Sequence, residues 1–271
     1  MLHHYTSVAT LALILRHKTL RFTRLDRFDD ATEGRSIGTY PAGTRMFASC
    51  WSATSGESIP QWAMYGDAMK GVRVSLPRDP FVWHHHNFEW HEKFKVVALD
   101  APFSLEEMLD SGVMLCPTPE MKETFGRPVR YVRDVATAIS GLYKEDEDSL
   151  TFFGDGNEIA FFKSDVWSFQ EEFRYVLRVE PGPPTPFKGD VASYLEARRK
   201  WGQSGVNLLT ATPDRTHIDL QLDAQALTAA EITIGPLAPH GTLEIVEALI
   251  SRFAPGATAR QSTLSGTIRP T

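Results

Sequence analysis

The hydrophobic pattern changes period several times along the chain. Leu2 to Tyr5 is compact enough for a short strand, and Val8, Leu11 and Leu15 then recur at helical spacing behind Thr6 or Ser7, either of which can cap the helix. A strand-to-helix corner therefore falls at His4-Tyr5-Thr6. Leu20 to Thr23 and Met46 to Trp51 read as strands, separated by a segment that includes the polar loop Asp26 to Gly34. Ser52 to Ser58, rich in Ser, Thr and Gly, is a loop. Pro60 opens a helix carrying Gln61, Trp62 and Tyr65, and Gly71 to Leu76 returns as a strand.

Further on, Ser104 and Glu107 stand at capping-box spacing, and Val132, Val135, Ala136, Ile139 and Leu142 form an apolar stripe that predicts a helix. The acidic run Glu145 to Asp148 reads as a solvated turn. Phe173, Tyr175, Leu177 and Val179 alternate with Arg174 and Arg178, which predicts a half-buried strand with Gln170 to Glu172 at its mouth. A helix over Asp190 to Trp201 follows, then a strand over Glu231 to Ile234, then a helix over Thr242 to Phe253 with Leu243, Val246, Ile250 and Phe253 turned inward. Strands and helices mix without regular alternation, no repeat is visible, and the Pro-rich Glu180 to Pro186 is a stiff connection. The expectation is one α+β domain over residues 1–271.

Composition narrows the class. With 42% apolar and 23% charged residues among 271, the chain falls in the ordinary globular range. No apolar run approaches the roughly 18 residues of a membrane span, and the N-terminus lacks the marks of a secretory signal, so a cytoplasmic protein without membrane partners is expected. Cys50 and Cys116 are too few for a disulfide framework and sit in no metal spacing; both are expected to be reduced and structural. A net charge of -6, from 28 basic and 34 acidic residues, argues against a protein that coats nucleic acid but leaves nucleic acid open as a substrate.

Several clusters place polar residues where folding alone does not demand them: His4-Tyr5-Thr6, Asp29-Asp30 with Glu33, Gln61-Trp62 with Tyr65, and Gln170-Glu171-Glu172 with Arg174. Each also has a plain structural reading: a capping or core histidine, an Asx turn, two core aromatics, and an ion pair on a sheet face. His84-His85-His86 with Glu89, His91 and Glu92 has the density of a metal site, yet adjacent histidines on an extended segment point to opposite faces, so an exposed hairpin tip and no metal are expected. Lys122, Arg127, Arg130 and Arg133, with Tyr131 interleaved, read as a solvated helix face that can also meet phosphates.

Five blocks, in order, resemble the bacterial domain-of-unknown-function family DUF2971: Leu2-His-His-Tyr-Thr-Ser7; Phe28-Asp-Asp-Ala-Thr-Glu-Gly34; Ser49-Cys-Trp-Ser52 with Gln61-Trp-Ala-Met-Tyr-Gly66 and Lys70-Gly-Val72; Lys163-Ser-Asp-Val-Trp167 with Glu172-Phe-Arg174; and Ile232-Thr-Ile-Gly-Pro236. The sequence departs from that pattern where an Asn-Asp pair is replaced by Asp29-Asp30 and where an acid is replaced by Gln170. The family is in turn distantly similar to the ADP-ribosyltransferase superfamily. That resemblance implies a split mixed β-sheet with helical insertions and NAD as substrate. It implies catalysis by Glu172 with Gln170, and cofactor contacts from His4, Tyr5, Thr6, Ser52, Trp62, Tyr65 and Arg174. The chemistry suits the residue types, because leaving of nicotinamide develops positive charge on the ribose, which a carboxylate beside the 2′-hydroxyl stabilises. Gln170-Glu171-Glu172 has the Gln-x-Glu form of members that modify amide, thiol or guanine groups, and a Gln amide both donates and accepts. The expected acceptor is therefore a nucleic acid or a protein group other than arginine, with a role as toxin or defence effector. Two other classes stay open: a catalytically silent nucleotide- or partner-binding module, and a metal-dependent hydrolase or nuclease using the histidine cluster.

Overall fold

The computed structural model describes residues 1–91, 94–118, 120–146, 149–154 and 156–269; side chains of 88–97 also fall outside the described residues. In chain order the strands are β1 (Leu2–Thr6), β2 (Thr19–Arg24), β3 (Met46–Ser52), β4 (Val72–Leu76), β5 (His84–His91), β6 (Phe94–Ala101), β7 (Val113–Cys116) and β8 (Gly126–Pro128). They continue with β9 (Arg130–Val132), β10 (Tyr143–Asp146), β11 (Ser149–Phe152), β12 (Phe162–Ser164), β13 (Glu172–Pro181), β14 (His217–Gln221), β15 (Glu231–Ile234) and β16 (Thr258–Gln261). The α-helices are α1 (Val8–His17), α2 (Ala42–Arg45), α3 (Ile59–Met64), α4 (Leu105–Met108), α5 (Met121–Thr124), α6 (Val135–Ile139), α7 (Val191–Gln203), α8 (Ala224–Thr228) and α9 (Thr242–Phe253). Among the described residues, no helix is long and apolar enough to cross a membrane.

The first corner forms as its sequence requires. Ser7 stays extended and its hydroxyl accepts from Thr10 N at 3.1 Å, which starts α1 and buries Leu11, Ile14 and Leu15. The main sheet runs β14-β2-β3-β1-β4-β15-β16, with β13 on the other edge of β3 and β7 and β8 beyond β13. Its pairs are antiparallel except β15–β16, so the sheet is mixed. β3 shares one edge between two partners: Phe47 and Ala48 pair with β2, whereas β1 touches it only through His3↔Ser52. Over the rest of its length β1 pairs with β4, from Leu2↔Leu76 to Thr6↔Val72. The sheet thus parts between β1 and β3.

One face of the sheet carries the main core, in which Leu2, Phe47, Trp51, Val74, Phe173 and Tyr175 pack with Leu11 and Leu15 of α1 and Val246 and Ile250 of α9. Leu25, Met46, Ala48, Phe161 and Val176 form a smaller core. β13 consequently departs from the half-buried strand its alternation predicts. Both its edges are paired, and Arg174 is completely buried. The stripe from Val132 to Leu142 also differs from expectation: Val132 belongs to β9, α6 is five residues long and buries none of them, and Leu142 ends a 3-10 turn. Glu145 and Asp146 are strand residues of β10, with Glu145 accepting from Thr39 N at 3.0 Å; Glu147 and Asp148 lie outside the described residues. The capping box at Ser104 and Glu107 is present, on a helix of only four residues.

Candidate functional site

A cleft of about 260 Å³ opens where β1 and β3 part. From β1 come His3, His4 and Tyr5; from β3, Cys50, Trp51 and Ser52; from the loop after β2, Phe28 and Asp29. Gln61 and Tyr65 reach it from α3, Lys163 from β12, and Gln170 and Glu172 from the turn into β13.

His4 bridges the split, its Nδ1 lying 2.9 Å from Cys50 O. A carbonyl oxygen only accepts, so Nδ1 carries the proton and Nε2 keeps a lone pair. Burial lowers the His4 pKa and outweighs the opposing bond to Cys50, so the ring is neutral near pH 7. It also packs against Trp51, with centroids 5.2 Å apart.

On the opposite wall, α3 starts at Ser58, whose hydroxyl accepts from Gln61 N, and ends at Tyr65. Asp67, Ala68 and Met69 then take positive φ in succession, 53, 50 and 69°, to turn the chain back toward β4. Left-handed backbone at three non-glycine residues is costly, and it begins two residues after Tyr65, which lines the cleft. Gly71 completes the return where a Cβ would meet Thr6 O at 2.1 Å. Tyr65 Oη donates to Asp29 and accepts from Gln170 Nε2 at 2.7 Å, and Gln61 Nε2 donates to Gln170 O at 3.0 Å. Burial, followed by Asp29, raises the Tyr65 pKa.

Glu171 takes a left-handed conformation at φ 42°, between the 3-10 turn Asp165–Gln170 and β13. This lets Gln170 and Glu172 both line the cleft, while Glu171 turns away to accept from Thr54 Oγ1 at 2.7 Å. The start of β13 is fixed by Tyr131, whose hydroxyl accepts from Glu172 N at 2.9 Å.

Behind Glu172 is a closed ring of four buried charges. Arg174 Nε meets Glu172 at 2.7 Å and its Nη2 meets Glu33 at 2.6 Å; Lys163 Nζ meets Glu33 at 2.9 Å and Glu172 at 3.2 Å. Burial alone would raise the Glu172 pKa, but Arg174 and Lys163 bring it down to about 2. Both carboxylate oxygens therefore already face a cation. Burial pushes the Cys50 thiol up, as does the neighbouring Glu172; Cys50 and Cys116 are both free.

Of the residues expected at a cofactor or catalytic position, His4, Tyr5, Ser52, Tyr65, Gln170 and Glu172 line one cleft. Thr6, Trp62 and Arg174 do not. Thr6 is buried opposite Val72 in the sheet, Trp62 is fully buried with its ring edge-on to Tyr5 at 4.8 Å, and Arg174 stands behind Glu172 in the ion ring. Gln170 lines the cleft with one of its two amide N–H groups already donated to Tyr65. Glu33, expected with Asp29 and Asp30 in an Asx-turn cluster, and Lys163, marked only by its place in a resembling block, instead close the ring: Lys163 meets Glu172 directly and Glu33 holds the two cations from the other side.

The basic stretch is not one helix face. Lys122 sits on α5 and faces Asp100 at 2.7 Å, Arg127 on β8 and Arg130 on β9 share Glu158, and Arg133 approaches Asp165 at 3.9 Å. In the histidine cluster, His85 meets Asp100 at 2.9 Å and His86 meets Phe103 O at 2.9 Å. The side chains of Glu89 and His91, and Glu92 as a whole, lie outside the described residues. Among the described residues no group of three or more His, Cys, Asp or Glu is arranged to hold a metal ion. No family model, curated protein or solved structure matches the chain.

Proposed function

We propose that the cleft binds NAD by its nicotinamide-ribose end and that the chain is an ADP-ribosyltransferase acting on a nucleic-acid or protein acceptor. The reading is supported by one observation above all: His4, Tyr65, Gln170 and Glu172, the first and last 168 residues apart in sequence, line the same cleft. In this reading His4 Nε2 accepts from a ribose hydroxyl and the aromatic rings flank the departing nicotinamide. The bond from ribose C1′ to the pyridinium nitrogen breaks, and its electron pair leaves with nicotinamide. A new bond forms from the acceptor to C1′, and the acceptor's proton is released. The Glu172 carboxylate stabilises the positive charge that develops on the ribose between these events.

The test is release of nicotinamide from labelled NAD by the full chain, with and without nucleic acid or protein acceptors. Glu172→Gln is expected to lower release by about a hundredfold or more while NAD binding is largely kept. The same change leaves Lys163 and Arg174 sharing Glu33, so it should also destabilise the fold by about 3–5 kcal/mol, and assays belong well below the variant's melting temperature. Equal turnover in both proteins rejects the assignment. A second reading, a catalytically silent nucleotide-binding module, is favoured by the two cations that already offset the Glu172 charge. NAD binding without any nicotinamide release would select it.

A further inference from the structure

We propose that Asp29, Tyr65 and Gln170 form a fixed hydrogen-bond relay that makes the cleft selective for a planar cation bearing N–H donors and excludes carboxylates and phosphates. The inference deepens the transferase reading and rests on it for the choice of probes, while its argument comes from the direction of each hydrogen bond.

Tyr65 Oη donates its hydrogen bond to an Asp29 carboxyl oxygen. The phenol oxygen is then left to accept, and Gln170 must present Nε2 to it, as the 2.7 Å contact requires. Gln170 is 3% exposed, so this orientation is held by its surroundings, and it offers the cleft its Oε1 as an acceptor beside the second Nε2 hydrogen. Gln61 follows the same logic. Its Nε2 donates one hydrogen to the Gln170 carbonyl, which leaves Oε1 as acceptor and one further N–H. Among the described residues no donor reaches either Oε1. His4 adds Nε2 as a further acceptor, because Nδ1 donates to Cys50 O.

Charge points the same way. Lys163, the one cation lining the cleft among the described residues, lies between Glu33 and Glu172. Asp29 is exposed at the rim, accepts from Tyr65 and from Asp30 N, and has no cation paired with it among the described residues. Ser52, whose oxygen accepts from Thr54 N, is left with a single hydroxyl proton to donate. An anion entering this cleft would find the few remaining hydroxyl and amide hydrogens set among lone pairs and beside the Asp29 carboxylate. Among the described residues it would have no cation of its own to pair with, which is how a site disfavours the wrong ligand. A flat cation gains twice: its N–H groups meet the acceptors, and its charge lies against the rings of Phe28, Trp51 and Tyr65. The pyridinium carboxamide of NAD and the guanidinium of an arginine-like acceptor share this chemistry.

The test titrates the full chain by calorimetry with 1-methylnicotinamide and with agmatine as cationic probes, and with benzoate and inorganic pyrophosphate as anionic ones. At least one cation is expected to bind about tenfold or more tighter than either anion. Asp29→Asn and Gln170→Met are each expected to weaken it by about tenfold, in line with losing a charge-assisted or buried hydrogen bond. Gln61→Met serves if the Gln170 variant does not fold. Displacement of 1-methylnicotinamide by NAD assigns the cation to the cofactor. Binding of agmatine that NAD does not displace assigns it to the acceptor. Anions that bind as tightly as the cations, no cation binding, or cation binding indifferent to Asp29→Asn in a folded variant would overturn the proposal. Selective cation binding without NAD cleavage removes the transferase reading and leaves this one. NAD cleavage without that selectivity does the reverse.

Discussion

His3 and His4 are neighbours in the chain with different tasks. His3 is buried, with Nδ1 2.8 Å from Ser75 Oγ, and burial followed by Arg73 lowers its pKa to about 4. Because the unfolded chain takes up a proton near the ordinary 6.5 while the folded one stays neutral, stability is complete above pH 6.5 and is lost progressively as pH falls toward 4. The His4 shift has the same sign. Glu172 acts only lower, between its ordinary 4.5 and about 2, as protonation undoes its pairs with Arg174 and Lys163. Replacing His3 by Gln should therefore flatten the pH dependence between 6.5 and 4, which urea unfolding at pH 5 and 7 measures. An unchanged slope would place the proton uptake elsewhere.

At the scale of elements, the loop between β3 and α3 is tied down from three directions. Ser58 N donates to Tyr5 Oη at 3.1 Å, Arg73 Nη1 to Gly56 O at 3.1 Å, and Glu57 gathers Trp62 Nε1 at 3.0 Å, Thr263 N at 2.8 Å, Thr263 Oγ1 at 2.8 Å and Ser262 Oγ. The segment after β16 thus braces the helix that carries Gln61 and Tyr65. Glu57→Ala should leave the buried Trp62 indole without its acceptor and cost about 1–3 kcal/mol, with faster amide exchange at residues 262–264 as the local sign. Nothing near Glu57 in sequence announces a partner two hundred residues away. By contrast β1, α1, β3, β15 and α9 were legible, because each has its own hydrophobic period, and α1 its Ser7 cap as well. The region from β7 to β12 was not, since short strands there depend on distant partners, as β9 does on β12. For the candidate site, the clusters that hold His4, Tyr65 and Glu172 stand out in the sequence as polar residues that folding alone does not demand. The direction of the Gln170 amide and the ion ring through Glu33 and Lys163 depend on contacts that only the folded chain makes.

At the scale of the whole molecule, β1 is an interior strand although it begins the chain, with β4 along one side and the His3↔Ser52 pair on the other. Deleting residues 1–6 should remove one wall of the cleft and strip one edge of β4, abolishing the cooperative unfolding transition in calorimetry; a variant that still unfolds cooperatively would show that β1 only decorates the sheet. This placement also sets an order of events during synthesis. A ribosome adding about 5–20 residues per second delivers Glu172 roughly 8 to 34 seconds after His4. Throughout that interval His4 and the rest of β1 have no Glu172 beside them, so the cleft cannot be completed until the chain has been translated as far as β13.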